Sequence, residues 1–342
     1  MAHPVDDGFS MPPEWAPHAR CWMQWPCREA LWGPHLETAR EAYAEVAKAI
    51  AEFEPVTMIA NPEHVVEASL KCGQGVSTLS LPLDDSWVRD SGPTFIVNGS
   101  GGVAGIDWKW NAWGNKYPDH QHDAAVARAV LEHLGMRRYS APLVLEGGAI
   151  HVDGEGTVLT TESCLLNKNR NPQLDRRDVE ELLAQYLGVR KVIWLNGGLQ
   201  DDDTDGHVDN IACFARPGLV LALGASDPSD GNYAMLADNL ARLRAEKDAA
   251  GREFEVVTIE QPRRRDMEDG RRLALSYINF YIANGGVIIP AFEDAADKHA
   301  YDTISRAFPD RKSIQLPATE IVYGGGGIHC ITQQQPVGEP AK

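Results

Sequence analysis

No run of eighteen apolar residues occurs in this 342-residue chain, so a membrane-spanning helix is not expected. No Cys-x-x-Cys pair occurs either. The six cysteines, Cys21, Cys27, Cys72, Cys164, Cys213 and Cys330, are scattered, which suits neither a disulfide framework nor a zinc site. Free thiols in a reducing compartment fit better, and that leaves a nucleophilic cysteine open. Positive charge is scarce: 32 Lys and Arg against 49 Asp and Glu give a formal net charge of -17. Nucleic acid and anionic membrane surfaces are therefore poor partners. Cationic ligands would be attracted, although the same charge would also serve solubility alone. The opening "MAHPVDDGFS" lacks the basic start and apolar run of a signal peptide, and a cytoplasmic location is expected. No Pro/Gly/Ser-rich linker divides the chain, so residues 1–342 are expected to form one continuous domain despite the length.

What is present alternates. In "ETAREAYAEVAKAIAEF" (37–53), Tyr43, Val46, Ile50 and Phe53 form one apolar stripe at helical spacing. "DRRDVEELLAQYLG" (175–188) does the same and ends on Gly188. Further helices are predicted at 62–72, 123–134, 233–249 and 295–307. Between them lie β-rich runs such as "PVTMIA" (55–60), "TFIVN" (94–98), "TVLTT" (157–161), "LVLAL" (219–223) and "GVIIP" (286–290). The fold class read from this alternation is α/β. A weak echo, "GGAIHVD" (147–153), "DGHVDN" (205–210) and "GGGIHCI" (325–331), is compatible with repeated modules around a centre, or with chance.

Several stretches carry groups capable of chemistry. "YGGGGIHCITQQQP" (323–336) sets four glycines ahead of His329 and Cys330. Glycine is costly to order, so the run needs positive φ angles or a close approach. No lysine follows for a phosphate loop, the dinucleotide spacing is missing, and no G-x-S-x-G elbow exists. In "DGHVDNIACFA" (205–215), a strand would put His207 and Asp209 on one face. Such a pair suits acid–base work, and it is about as common in ordinary strands. "DDSWVRDSGP" (84–93) brings Trp87 and Asp90 to a strand end, where an ordinary polar turn is the competing reading. Glu146 in "VLEGGAIHVD" follows an apolar run and is expected to be partly buried, with a turn-closing salt bridge as the alternative. "DDDTD" (201–205) reads best as a solvated acidic loop. A zinc set of His151, His207, Asp209 and Cys330 is allowed by residue type but matches no usual spacing.

A thiol, a histidine and several carboxylates suit a substrate that is cationic at its reacting atom. A guanidinium is planar, always charged, and matches carboxylates in fork geometry. Its carbon is a poor electrophile and calls for a strong nucleophile such as a thiolate.

This combination resembles a known family. "MPPEWAPH" (11–18), "DSWVRDSGPTF" (85–95), "LEGGAIHVDGEGT" (145–157), "LLNKNRNP" (165–172), "DTDGHVDN" (203–210), "YINFYIANGGVI" (277–288) and "GGGGIHCITQQQP" (324–336) are similar, in order, to the agmatine deiminases of the guanidine-modifying superfamily. The resemblance runs from about residue 10 to 336. It implies a five-bladed α/β propeller of ββαβ modules with its site in the central channel. It implies Cys330 as nucleophile, His207 as general acid/base, and Asp90 and Asp209 as the grip on the guanidinium. Glu146 is implied as a partner of His207 or of the substrate. Trp87 and Trp113 resemble channel walls, though each is also compatible with plain core packing. Gly327 and its neighbours are expected to leave room for the flat cation. The implied reaction is hydrolysis of agmatine to N-carbamoylputrescine and ammonia through a Cys330 amidino intermediate, within polyamine metabolism, with no metal or organic cofactor. The implied partner is a small cationic guanidine, and members often form homo-oligomers. Another guanidine substrate (arginine, peptidylarginine or a guanidino acid) and a non-catalytic polyamine-binding propeller are the alternatives.

Overall fold

One order of elements recurs along the chain. A computed structural model describes residues 3–342, whose strands fall into five separate sheets. Four begin with an antiparallel pair: Thr94–Asn98 with Gly102–Lys109, His151–Val152 with Thr157–Thr161, Ala212–Arg216 with Leu219–Gly224, and Tyr281–Ala283 with Gly286–Ala291. A parallel strand then joins the second member of each pair: Arg138–Val144, Lys191–Leu195, Glu255–Glu260 and Lys312–Pro317. Parallel pairing needs a long crossover. Helices Asp123–Leu134, Arg176–Leu187, Tyr233–Ala245 and Asp297–Ala307 supply it. The fifth sheet draws on both ends of the sequence. Strand Gln333–Pro336 runs antiparallel to His18–Gln24, which carries Val56–Ala60 and Val76–Ser80 in parallel.

Local chemistry explains these elements. Strands Thr157–Thr161 and Leu219–Gly224 are buried along their whole length and are accordingly apolar or β-branched throughout. Helix Arg176–Leu187 starts where the Asp175 side chain accepts a hydrogen bond from the Asp178 amide at 2.9 Å, and it stops at Gly188 with φ 72°. Its buried face is Val179, Leu183, Tyr186 and Leu187. Burying a side chain such as Leu183 contributes roughly 2 kcal/mol.

The predicted helices are all present within a few residues, and the α/β reading holds. No helix among the described residues is long and apolar enough to cross a membrane. One expectation fails. His207 and Asp209 do not share a strand: Val208–Asn210 is a single 3-10 turn, and the strand begins only at Ala212. The cause is local. Asp205 and Gly206 take φ of 64° and 106°, and this left-handed pair breaks extended structure just before His207.

That turn has counterparts. Short helical turns Val88–Ser91 and Gly147–Ala149 precede the antiparallel pairs of their own sheets, as Val208–Asn210 does. Irregular buried segments around Asn279 and Cys330 precede Tyr281 and Gln333 in the same way. The echo in the sequence falls near these segments but not at one position in them: His151 lies in the strand after its turn, and His207 precedes its turn. Trp87, Asp90, Glu146, His207, Asp209 and Cys330 lie on or beside these segments, while Trp113 lies on a separate turn, Ala112–Asn115.

Candidate active site

Cys330 lies three residues past the glycine run, and its thiol is buried. Sγ lies 3.2 Å from Asn279 Nδ2 and 3.4 Å from Asp209 Oδ2. Asn279 Oδ1 accepts from the His329 amide at 2.9 Å and from the Cys330 amide at 3.3 Å, so one side chain fixes the nucleophile's backbone and touches its sulfur. Burial, reinforced by Asp209 and Asp90, pushes the Cys330 thiol well above the ordinary thiol range.

The glycines divide the two reasons foreseen for them. Only Gly325 has a left-handed backbone, at φ 104°. The others permit close approach: a Cβ on Gly324 would meet Trp32 at 2.2 Å, and one on Gly326 would meet Trp87 at 2.5 Å. Gly327 differs from expectation. It is absent from the pocket lining, and a Cβ there would strike Asn279 Oδ1 at 2.4 Å. Its missing side chain makes room for the asparagine that holds Cys330, rather than for a ligand.

The pocket opening onto Cys330 is walled by Trp87, Trp113, Tyr117, Asp90, Asp203, Thr204 and Gly324–Gly326. Trp87 stacks on Trp32 with ring centroids 5.8 Å apart. Trp113 is placed by a strained turn, with φ of 51°, 53° and 63° at Ala112, Trp113 and Asn115. The strain has a use: Trp113 Nε1 donates to Asp90 Oδ2 at 2.9 Å. Gly148 N donates to Asp90 Oδ1 at 3.0 Å. Burial, with Asp209 and Glu146 nearby, raises the Asp90 carboxyl despite the opposing His207.

His207 is fully buried, and neither ring nitrogen has a hydrogen-bond partner within the protein. Nε2 stands 3.5 Å from Glu146 Oε2, and Nδ1 stands 3.7 Å from Asp90 Oδ1. Burial alone would lower its pKa. Asp90, Cys164 and Glu146 outweigh it and hold the ring well above the usual histidine range. Glu146 faces His207 with one oxygen and accepts from Arg170 Nε with the other, at 2.8 Å. Burial would raise that carboxyl, but Arg170 and His207 keep it below its ordinary value.

The structure thus brings Cys330, His207, Asp90, Asp209, Glu146, Trp87 and Trp113 together and leaves Gly327 behind them. It also adds residues that the sequence did not single out: Asn279, Tyr117, Arg170 and Asp203. The acidic run is more than a solvated loop. Asp205 pairs with Arg170 at 2.6 Å and with Lys116 at 3.0 Å, while Asp203 forms part of the pocket rim. The four-residue zinc set is not assembled. Among the described residues the close group of ligand types is Glu146, Cys164 and His207, within 4.8 Å of one another. A larger cavity, between Trp15, Arg216, Phe308 and Arg311, contains none of the groups named above.

A thiol at the foot of an aromatic-walled, carboxylate-lined pocket can receive a flat cation and attack it. Residues 10–336 match the family described as Porphyromonas-type peptidyl-arginine deiminase. The chain belongs to that family. Among its relatives, the agmatine deiminase of Stutzerimonas stutzeri (strain A1501) is 46% identical across 97% of this chain and 97% of its own. The solved agmatine deiminase of Enterococcus faecalis is 37% identical and covers 98% of each chain with a TM-score of 0.95. A Cys-to-Ser form of the C. jejuni agmatine deiminase, solved with substrate bound, is 30% identical and covers 97% of each chain with a TM-score of 0.90. A deiminase family of this kind agrees with a site built for a guanidinium.

Proposed function

We propose that this chain is an agmatine deiminase, a hydrolase that converts agmatine to N-carbamoylputrescine and ammonia through a covalent intermediate on Cys330. The observation that carries the reading is a buried thiol beside Asp209 in a pocket walled by Asp90 and two tryptophans, with the unpartnered ring of His207 3.7 Å from Asp90. We read the five sheets as the blades of a closed propeller, with the five buried segments meeting at its centre.

In this mechanism Asp90 and the partnerless Oδ1 of Asp209 accept the guanidinium N–H groups. Trp87 and Trp113 flank the aliphatic stem, and the Asp203 carboxylate at the rim faces the distal ammonium. The empty site holds the thiol protonated. Arrival of a cation beside the sulfur reverses that balance, and the thiol gives up its proton to solvent water. The thiolate adds to the guanidinium carbon. Protonated His207 delivers its proton to the departing nitrogen, and ammonia leaves an amidino group on sulfur. Neutral His207, steered by Glu146, then takes a proton from water. The hydroxide adds to the same carbon, the C–S bond breaks, and the ureido product departs. Free thiols throughout the chain suit a cytoplasmic enzyme of polyamine metabolism.

The test is ammonia release from agmatine, arginine, a blocked arginyl peptide and 4-guanidinobutyrate by wild type and Cys330→Ala. Turnover is expected with agmatine and is lost in the variant. Turnover of a different guanidine would keep the chemistry and discard the substrate. Silence on all four would discard the enzyme reading.

A further inference from the structure

His329 neighbours Cys330 in sequence, yet its ring lies among Glu14, His151 and Asp209 and is absent from the aromatic-walled pocket. Both of its nitrogens meet carboxylates: Nδ1 is 2.9 Å from Asp209 Oδ2, and Nε2 is 2.8 Å from Glu14 Oε1. A neutral imidazole has a single N–H and would turn a lone pair on one of the two. Only an imidazolium serves both. All three side chains are at most 4% exposed, so water does not settle the difference.

The surroundings support that charge state. Glu14 also faces Arg89 Nη1 at 3.3 Å and His151 Nε2 at 3.5 Å. His151 Nδ1 accepts from the Phe214 amide at 3.3 Å, which leaves Nε2–H to face Glu14. Glu14 thereby remains ionised although buried. On its other side Asp209 meets the Cys330 sulfur, with His207 and Asp90 around Gly148 and the Cys213 thiol lining the same small cavity. Asp209 Oδ2 is occupied by His329, while the buried Oδ1 has no partner.

We propose that His329, charged by Glu14, is a positioning residue for deimination: its imidazolium keeps Asp209 ionised and turned so that Oδ1 faces the guanidinium. The inference rests on the guanidine reading above. Without the imidazolium, Asp209 would be a buried carboxylate beside a second carboxylate and a forming thiolate, and it would take up a proton.

Two measurements test it. In wild type, ¹⁵N NMR of labelled histidine, assigned with His329→Gln, is expected to show both His329 nitrogens protonated at pH 7. In Glu14→Gln, which keeps the shape of the side chain, the ring is expected to titrate in the ordinary range. Over the same series, Glu14→Gln is expected to raise KM for agmatine, change kcat less, and bring the alkaline fall of kcat/KM to lower pH by about one pH unit, because the ring then loses its proton sooner. A neutral His329 in wild type, or a pH profile of Glu14→Gln that superimposes on wild type, would overturn the proposal. The spectrum needs no turnover, so it decides the charge of His329 even if agmatine proves to be the wrong substrate.

Discussion

Two buried histidines flank the nucleophile, and they are treated in opposite ways. His329 has a carboxylate oxygen within 2.9 Å of each ring nitrogen. His207 is equally enclosed, and its nearest carboxylate oxygens stand off at 3.5 and 3.7 Å. A buried polar group short of partners costs about 1–3 kcal/mol. The fold bears that cost at His207 and avoids it at His329. The fully bonded ring belongs to the framework, and the other has both nitrogens without a direct hydrogen bond among the described residues.

The contrast breaks most sharply under substitution. His207→Gln is expected to reduce agmatine turnover by about 10²–10⁴-fold and to lower Tm modestly, since a buried cation beside Asp90 and Glu146 is lost but no direct hydrogen bond goes with it. His329→Gln is expected to lower Tm more, because Asp209 and Glu14 then share a buried site without their cation. Equal losses of Tm in the two variants would erase the distinction. The sign with pH follows from His329. Burial and Arg89 depress its pKa, but Glu14 and Asp209 prevail and raise it. Its stabilising contribution is complete below about pH 6.5 and fades as pH climbs through the raised value. The Tm gap between wild type and His329→Gln should therefore narrow in alkaline solution.

A smaller effect is expected at Gly148. A Cβ there would lie 2.6 Å from His207 Nδ1, 2.9 Å from Asp209 Oδ2 and 3.0 Å from Asp90 Oδ1. Gly148→Ala pushes into the space beside His207, and kcat/KM should fall by about 10²-fold. An active alanine variant would mean that this space tolerates filling. The mildest test concerns the thiol beside Asp209. With Cys330 held well above its ordinary pKa, iodoacetamide labelling of the free enzyme should be slow at pH 7 and accelerate through pH 10. Asp209→Asn removes one of the carboxylates responsible, so labelling at pH 8 should quicken by about tenfold. An unchanged rate would show that burial alone sets the thiol.

Much of this was legible in the sequence, for identifiable reasons. Helix Leu36–Ala51 and strand Leu219–Gly224 declare themselves by periodicity and β-branching. Strands of two or three residues, such as His151–Val152 and Tyr281–Ala283, are too short to show a period. Cys330, His207, Asp90 and Asp209 stand in unusual strings, which is why the sequence singles them out. Asn279 was not, because it sits in "SYINFY", where its neighbours advertise only a core. Its importance comes from contacts with residues 50 and 51 positions away. Glu14 meets His329 across 315 positions, a separation that no local pattern spans. Gly327 was read for the wrong reason, since sequence shows that space is needed but not which neighbour takes it.

The pairing of Gln333–Pro336 with His18–Gln24 bears on how activity first appears. Trp22 Nε1 donates to Gln335 Oε1 at 3.0 Å across 313 positions, so this zipper closes a very long loop. Contacts of such separation make for slow assembly. The reactive sulfur lies three residues before that strand. A ribosome releases the carboxylates, the tryptophans and His207 well before it releases Cys330. Because Gly324–Gly326 also wall the pocket, the receptor and the thiol are completed together, when the two ends of the chain join.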